Sequence, residues 1–204
     1  MQKILATYLL VCMFLHRSEC KFNVNKILNK YEDTFKIIDN KDKNEVKQKN
    51  LRFSFSNCGP SSDPMKINSL IFEPDPLPIP GNLTLSVDGF LEKDLNSPLT
   101  MTLKIIKIVG PFKVEIPCID NVGSCTYSDV CTMLPEPDNC PAFFREHQIP
   151  CTCPFPSGEY SIKNVLLAVE TSQKIPNGEY NIISNFQSKE IGHVGCIQVN
   201  LKIA

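Results

Sequence analysis

A chain of 204 residues with 21 Lys and Arg against 22 Asp and Glu is close to neutral, at a formal charge of −1. That balance lacks the basic excess needed to hold a nucleic-acid backbone, so no nucleic-acid partner is expected. Ten Cys in this length exclude an ordinary protein of the reducing cytosol.

In chain order, residues 1–20 have the layout of a secretory signal peptide. Lys3 supplies a positive start, Ile4–Leu15 an apolar run, and His16–Cys20 a polar stretch. A membrane-spanning helix takes about 20 residues, so this run is too short to be one. Ser18 and Cys20 are small enough to flank a cleavage before Lys21. Residues 21–50 then form a charged amphipathic extension and linker. Val24, Ile27, Leu28, Tyr31, Phe35 and Ile38 recur at spacings of three and four, which is one stripe of a helix. The polar stretch Asp39–Asn50 reads as a solvated linker. The extension is net basic, and residues 51–204 are net acidic.

From Leu51 the apolar period changes to two. Leu83, Leu85 and Val87 alternate with polar residues, as do Phe112, Val114 and Ile116. Tyr180, Ile182 and Phe186 share one side, and Ile197, Val199, Leu201 and Ile203 another. Pro and Gly punctuate these runs at Pro74–Pro80, Gly110–Pro111, Pro156–Gly158 and Pro176–Gly178. The pattern predicts about eight strands, near 51–56, 65–73, 82–90, 99–109, 112–116, 159–169, 179–187 and 193–203. The fold expected is all-β, a sandwich or barrel-like cup. Residues 118–153 read mostly as loop, with a helical turn around Ser128–Leu134.

Without Cys12 and Cys20, which fall in the signal peptide, eight Cys remain: Cys58, Cys118, Cys125, Cys131, Cys140, Cys151, Cys153 and Cys196. An even number behind a signal peptide predicts a disulfide framework. Spacing alone cannot pair them. A zinc site would want paired Cys-x-x-Cys knuckles or nearby His; the mature chain offers only His147 and His193. No metal and no cofactor are expected. Asn82-Leu83-Thr84 is a glycosylation sequon at the start of a strand.

No catalytic constellation is present in the sequence. There is no Gly-x-Ser-x-Gly, no His-Glu-x-x-His and no phosphate-cradling loop. A Cys nucleophile needs a free thiol, and the Cys are expected in disulfides. His147 and His193 sit among polar residues and read as surface histidines. What stands out instead is apolar: the run Val165–Val169 and the hairpin tip Val109–Phe112.

Several blocks from Phe53 onward carry a resemblance. They are Phe53-Ser-Phe-Ser-Asn-Cys58, Glu73-Pro-Asp-Pro76, Pro80–Val87, Ile116-Pro-Cys118, Gly123-Ser-Cys125, Pro150–Phe155, Gly158–Ser161, Gly178-Glu-Tyr180 and Gly195-Cys196-Ile197. In this order they resemble the ML lipid-recognition family. The resemblance implies an antiparallel, immunoglobulin-like β-cup with an apolar lipid cavity over 51–204. It implies a non-enzymatic protein that lifts a glycosphingolipid from a membrane and presents it to a lysosomal hydrolase, β-hexosaminidase. The location expected is the secretory pathway, then the lysosome lumen or the extracellular space. The alternative is a secreted lipid carrier or recognition module without a hydrolase partner.

Carried onto this chain, the cavity residues expected are Leu83, Leu85, Val87, Val114, Ile116, Ile182, Phe186, Val199 and Leu201. The mouth meeting the membrane surface is Val109, Phe112, Lys113, Leu166, Leu167, Lys174 and Ile175. The ligand is a glycosphingolipid or a phospholipid, and Asn82 matches the glycosylated Asn. The implied disulfides are Cys58–Cys196, Cys118–Cys125, Cys131–Cys153 and Cys140–Cys151. The chain departs from the family pattern in having no Trp. The pattern has one in each of two mouth loops, where Lys113 and Gln173–Lys174 stand here. Lysine at those positions suits anionic lipid surfaces better than neutral ones.

Overall fold

The computed structural model describes residues 53–134, 138, 140, 142–169 and 175–204. The expected signal peptide, the 21–50 extension and Lys174 lie outside these residues. Nine strands are described: β1 (Ser54–Asn57), β2 (Met65–Glu73), β3 (Gly81–Leu91), β4 (Leu99–Val109), β5 (Phe112–Glu115), β6 (Thr126–Tyr127), β7 (Gly158–Val169), β8 (Gly178–Ser188) and β9 (Gly192–Ile203). The expected helical turn is a 3-10 turn over Val130–Met133, and a short helix α1 spans Ala142–Glu146. Strand β6 and helix α1 were not foreseen from the sequence.

Two antiparallel sheets form. The larger runs β1-β9-β8-β4-β5 with β6 also on β4; the smaller is β2-β3-β7. Alternation decides which side chains they bury, because successive residues of a strand face opposite ways. Along β4 the odd-numbered positions Leu99, Met101, Leu103, Ile105, Lys107 and Val109 are buried. The even ones face out, and Lys104 there pairs with Glu115 at 3.0 Å. In the smaller sheet Leu83, Leu85, Leu167 and Val169 face in. Registers slip at Ile67/Ser69 and at Leu85/Val87. At the second slip β7 carries the extra residue, and Asn164 takes a left-handed φ of 53°, a conformation Asn tolerates better than most residues. The slip keeps Val87 and Ile162 on the inner side.

The sheets meet along the β1/β9–β2 side. The Asn57 Nδ2 donates to the Ile67 carbonyl at 2.8 Å, and the Ile67 N–H donates to the Asn57 Oδ1 at 3.0 Å. Gly195 of β9 lies against Met65 of β2 so closely that a Cβ there would stand 2.6 Å from the Met65 Cε and 3.2 Å from its carbonyl oxygen. Gly195→Ala is therefore expected to turn the Met65 tip aside and crowd its Cβ and carbonyl oxygen, at a cost of about 1–3 kcal/mol, read as a lower urea midpoint at unchanged slope.

One end is closed. Leu91, Leu95, Leu99 and Val194 cluster there with Phe155, Phe186 and Cys131 packed on them. Leu95 and Phe155 exchange backbone hydrogen bonds at 2.9 and 3.0 Å. Helix α1 anchors on Phe144, which is fully buried. The opposite end is where β3 begins, β7 and β9 finish and β8 begins. The Pro74–Pro80 connection between β2 and β3 reaches over to the larger sheet there, bridging Leu77 to Ile203, and its Leu77 and Ile79 are buried. Four disulfides join Cys58 to Cys196, Cys118 to Cys125, Cys131 to Cys153 and Cys140 to Cys151, the same four pairs that the resemblance implies.

Candidate functional site

The space between the sheets is walled by rows of inward residues that the strand registers define. Counting from the end where β8 begins, the larger sheet gives Phe112, Val109, Gly178 and Ile203, then Val114, Lys107, Tyr180 and Leu201. Ile105, Ile182, Val199 and Phe55 form the next row, and Ile116 joins it through the hydrogen bond from its N–H to the Ile105 carbonyl. The facing wall carries Phe72, Leu83, Leu85, Leu167 and Val169. The loop closed by Cys118–Cys125 inserts Val122 between the walls.

Most of the expected cavity residues come together here. Leu83, Leu85, Ile182 and Leu201 are buried in this cluster, and Val87, Ile116 and Val199 pack on it while keeping accessible surface. Val87 is at the middle of a central strand, beside the register slip. Val114 is half-buried beside Lys107. Phe186 shares the inner face but packs with the closed-end cluster instead, because periodicity fixes the face of a residue and not its height along the strand.

The expected mouth residues divide. Val109 is buried at the end of β4, while Phe112 is 64% exposed at the hairpin tip. Lys113 is exposed on the outer side of the same hairpin, paired with Ile108. Leu167 and Ile175 are core residues. Leu166 is 70% exposed, and strand alternation turns it to the outer side of the smaller sheet. Asn82 is exposed on that same outer side, opposite Ala168.

Two polar features escaped the sequence reading. His193, read as a surface residue, bonds through Nδ1 to the buried Asp63 at 2.7 Å; the two are 130 positions apart, so no local pattern shows the pair. Lys107 is 6% exposed on the inner wall. Its signal was the alternation itself, which places it in phase with Leu103, Ile105 and Val109.

Beside Lys107, the Tyr180 hydroxyl donates to the Pro176 carbonyl at 2.7 Å. Burial holds its pKa well above the ordinary tyrosine value of 10.0, because an apolar surrounding disfavours the phenolate. In the unfolded chain Tyr180 ionises above about pH 10, while the folded chain keeps the proton. The folded state then binds more protons, and stability falls as pH rises. Above pH 10 this residue is expected to remove roughly 1.4 kcal/mol per pH unit. Tyr180→Phe should flatten that slope in urea melts taken across the alkaline range.

A separate groove of about 630 Å³ opens near the Pro74–Pro80 connection, lined by Phe53, Ile71, Phe72, Glu73, Pro74, Asp75 and Thr84. Asp75 accepts the Phe53 N–H at 2.8 Å, and Phe53 meets Phe72 edge-on with centroids 5.4 Å apart. Phe72 belongs both to this groove and to the facing wall of the interior. Among the described residues no group of His, Cys, Asp and Glu could hold a metal ion.

Three kinds of likeness to known proteins accompany this geometry. A family model described as an ML domain matches residues 52–203. The ganglioside GM2 activator of Macaca fascicularis is 39% identical over 154 residues, covering 72% of this chain and 80% of the relative. That of Mus musculus is 34% identical over 154 residues, covering 72% and 79%. A phosphatidylglycerol/phosphatidylinositol transfer protein of Mycosarcoma maydis is 24% identical over 151 residues, covering 74% of this chain and 65% of that protein.

Proposed function

The chain belongs to the ML-domain family of lipid-binding proteins, and from that premise we propose that it extracts a glycosphingolipid from a membrane and presents it to a lysosomal hydrolase. The chain does no chemistry of its own; it is a carrier and an activator. The observation that carries this reading is an apolar interior walled by two sheets, beside a hairpin tip that exposes Phe112.

The energetics fit. A buried acyl chain is held by about 0.8 kcal/mol per CH₂, so a chain of roughly 18 carbons is held by about 14 kcal/mol. Water cannot receive it at a useful rate. Walls built from Leu83, Leu85, Ile182, Val199 and Leu201 can, because the apolar area stays buried throughout the exchange. Phe112 and the hairpin tip touch the bilayer, and Lys113 and Lys174 meet headgroups. Relatives named for a ganglioside activator favour a glycosphingolipid as cargo and β-hexosaminidase as the enzyme served. In this reading residues 1–20 are removed as a signal peptide, 21–50 remain an extension of the 51–204 domain, and Asn82 carries an N-glycan. The protein then works in the lysosome lumen or outside the cell.

The test is hydrolysis of ganglioside GM2 in vesicles by β-hexosaminidase at acidic pH, with and without the secreted chain. The rate is expected to rise with added chain and to saturate. A chain that moves lipid between vesicles without raising hydrolysis is a carrier with no hydrolase partner.

A further inference from the structure

We propose that the groove at the β2 edge of the smaller sheet is the docking site of this chain's own 21–50 extension, whose apolar stripe seats there with Tyr31, Phe35 and Ile38. This docking is independent of which lipid the interior takes. The groove of about 630 Å³ falls within the range of about 300–1,000 Å³ in which pockets bury a ligand. Phe53 begins the described domain, and it lines the groove. Its N–H is held at 2.8 Å by Asp75, another lining residue. Residue 52 is bonded to that same nitrogen, so the chain ahead of the domain starts from the wall of the groove.

The extension has the chemistry of an occupant. Its residues Val24, Ile27, Leu28, Tyr31, Phe35 and Ile38 make one helical stripe. A lone helix of about 15 residues is marginal in water, so such a stripe needs an apolar surface to pack on. Residues 21–50 hold eight Lys against five Asp and Glu, and the groove exposes the carboxylates of Glu73 and Asp75. The charges are complementary. The polar linker over 39–52 reaches about 20 Å as a flexible chain, which is ample for a site at its own end. A short flexible linker sets an effective concentration of about 1 mM, so a contact of only about 0.1 mM between separate molecules would stay docked about tenfold over released.

The surface beside the groove continues the match. Four large apolar residues are exposed among the described ones: Ile71, Phe90, Phe112 and Leu166. Two of them share the outer side of the smaller sheet near the groove. Ile71, 46% exposed, lines the groove itself. Leu166 lies opposite Thr84, a lining residue on the neighbouring strand. Strands β2 and β7 are about 10 Å apart across β3, and a helix over 24–38 is about 22 Å long. One helix therefore covers both Ile71 and Leu166. The sequon residue Asn82 stands one pair nearer the end of the sheet, beside this path.

The test is trypsin cleavage of the full secreted chain, limited to one cut per molecule and mapped by mass. Cuts after Lys47 and Lys49 in the linker should be at least about tenfold faster than cuts after Lys30 and Lys36 in the stripe, as the tethered equilibrium requires. Ile71→Lys removes an apolar contact and adds a like charge at an exposed strand position, where the fold tolerates it. It should bring the stripe cuts up to the linker rate with the melting temperature unchanged. Phe35→Asp should do the same from the other partner without touching the domain. Carbodiimide should join lysines of the extension to Glu73 or Asp75 within one chain, in a mixture of isotopically light and heavy protein. Equal cutting of stripe and linker in the wild type overturns the assignment, as does protection that survives Ile71→Lys. Crosslinks only between light and heavy chains would make the occupant a second copy, and protection only with vesicles present would make it a membrane; either result overturns the assignment. So does a secreted chain that starts beyond Ile38.

Discussion

Phe112→Asp is expected to slow lipid transfer between vesicles by about tenfold to a hundredfold, with thermal stability nearly unchanged. Phe112 is 64% exposed, so the fold gains little from it, and surface substitutions of this kind usually stay within about 0.5 kcal/mol. At a membrane the same ring is worth about 1.5–3 kcal/mol of apolar burial, which converts to that range of rates. An aspartate also adds repulsion from anionic headgroups. Its neighbour across the hairpin, Val109, is buried, so Val109→Asp is the contrasting variant and should damage fold and transfer together. Unchanged transfer by Phe112→Asp would remove the β4–β5 hairpin from the mouth.

The second large effect concerns Cys58 and Cys196, whose bond spans 138 positions. Replacing both by alanine should cost roughly 4–5 kcal/mol, because the crosslink restricts a long loop in the unfolded chain. That is a large part of the 5–15 kcal/mol typical of a domain. The bond also ties the end of β1 to β9 on the side where the sheets meet, next to the Asn57 bridge to Ile67. The Cys140–Cys151 bond spans 11 positions, and its removal should cost less, about 2–3 kcal/mol. Guanidinium melts of the two double variants, with the other disulfides intact, should preserve that order. The reverse order would show that the α1 region holds the fold together more than the long crosslink does.

Much of this was legible in the sequence because strands report their faces through a period of two. Leu83, Leu85, Ile182 and Leu201 were put on apolar strand faces by that pattern and in the interior by the resemblance, and they lie there. The same rule, applied strictly, places Leu167 inside and Leu166 outside; reading Val165–Val169 as one apolar run assigned both to the mouth. Height along a strand is not periodic, which is why Phe186 was grouped with the cavity and packs at the closed end. The short β6 and α1 lie in the Cys-rich segment, where they are too brief for a period to register. The Asp63–His193 pair needs the pairing of β1 on β9 and the close approach of Gly59 to both side chains; neither is a local property. Lys107 was visible in the alternation, but a charge in phase with an apolar face is easily passed over when apolar residues are being counted.

The central claim is that the interior exchanges one lipid with membranes. Native mass spectrometry of the full secreted chain, purified without detergent after mixing with ganglioside-containing vesicles, tests it most directly. The expected spectrum shows chain with one bound lipid, whose mass is that of a vesicle component and which is lost on collisional activation. A spectrum of bare chain alone, from protein with all four disulfides formed, would contradict the account.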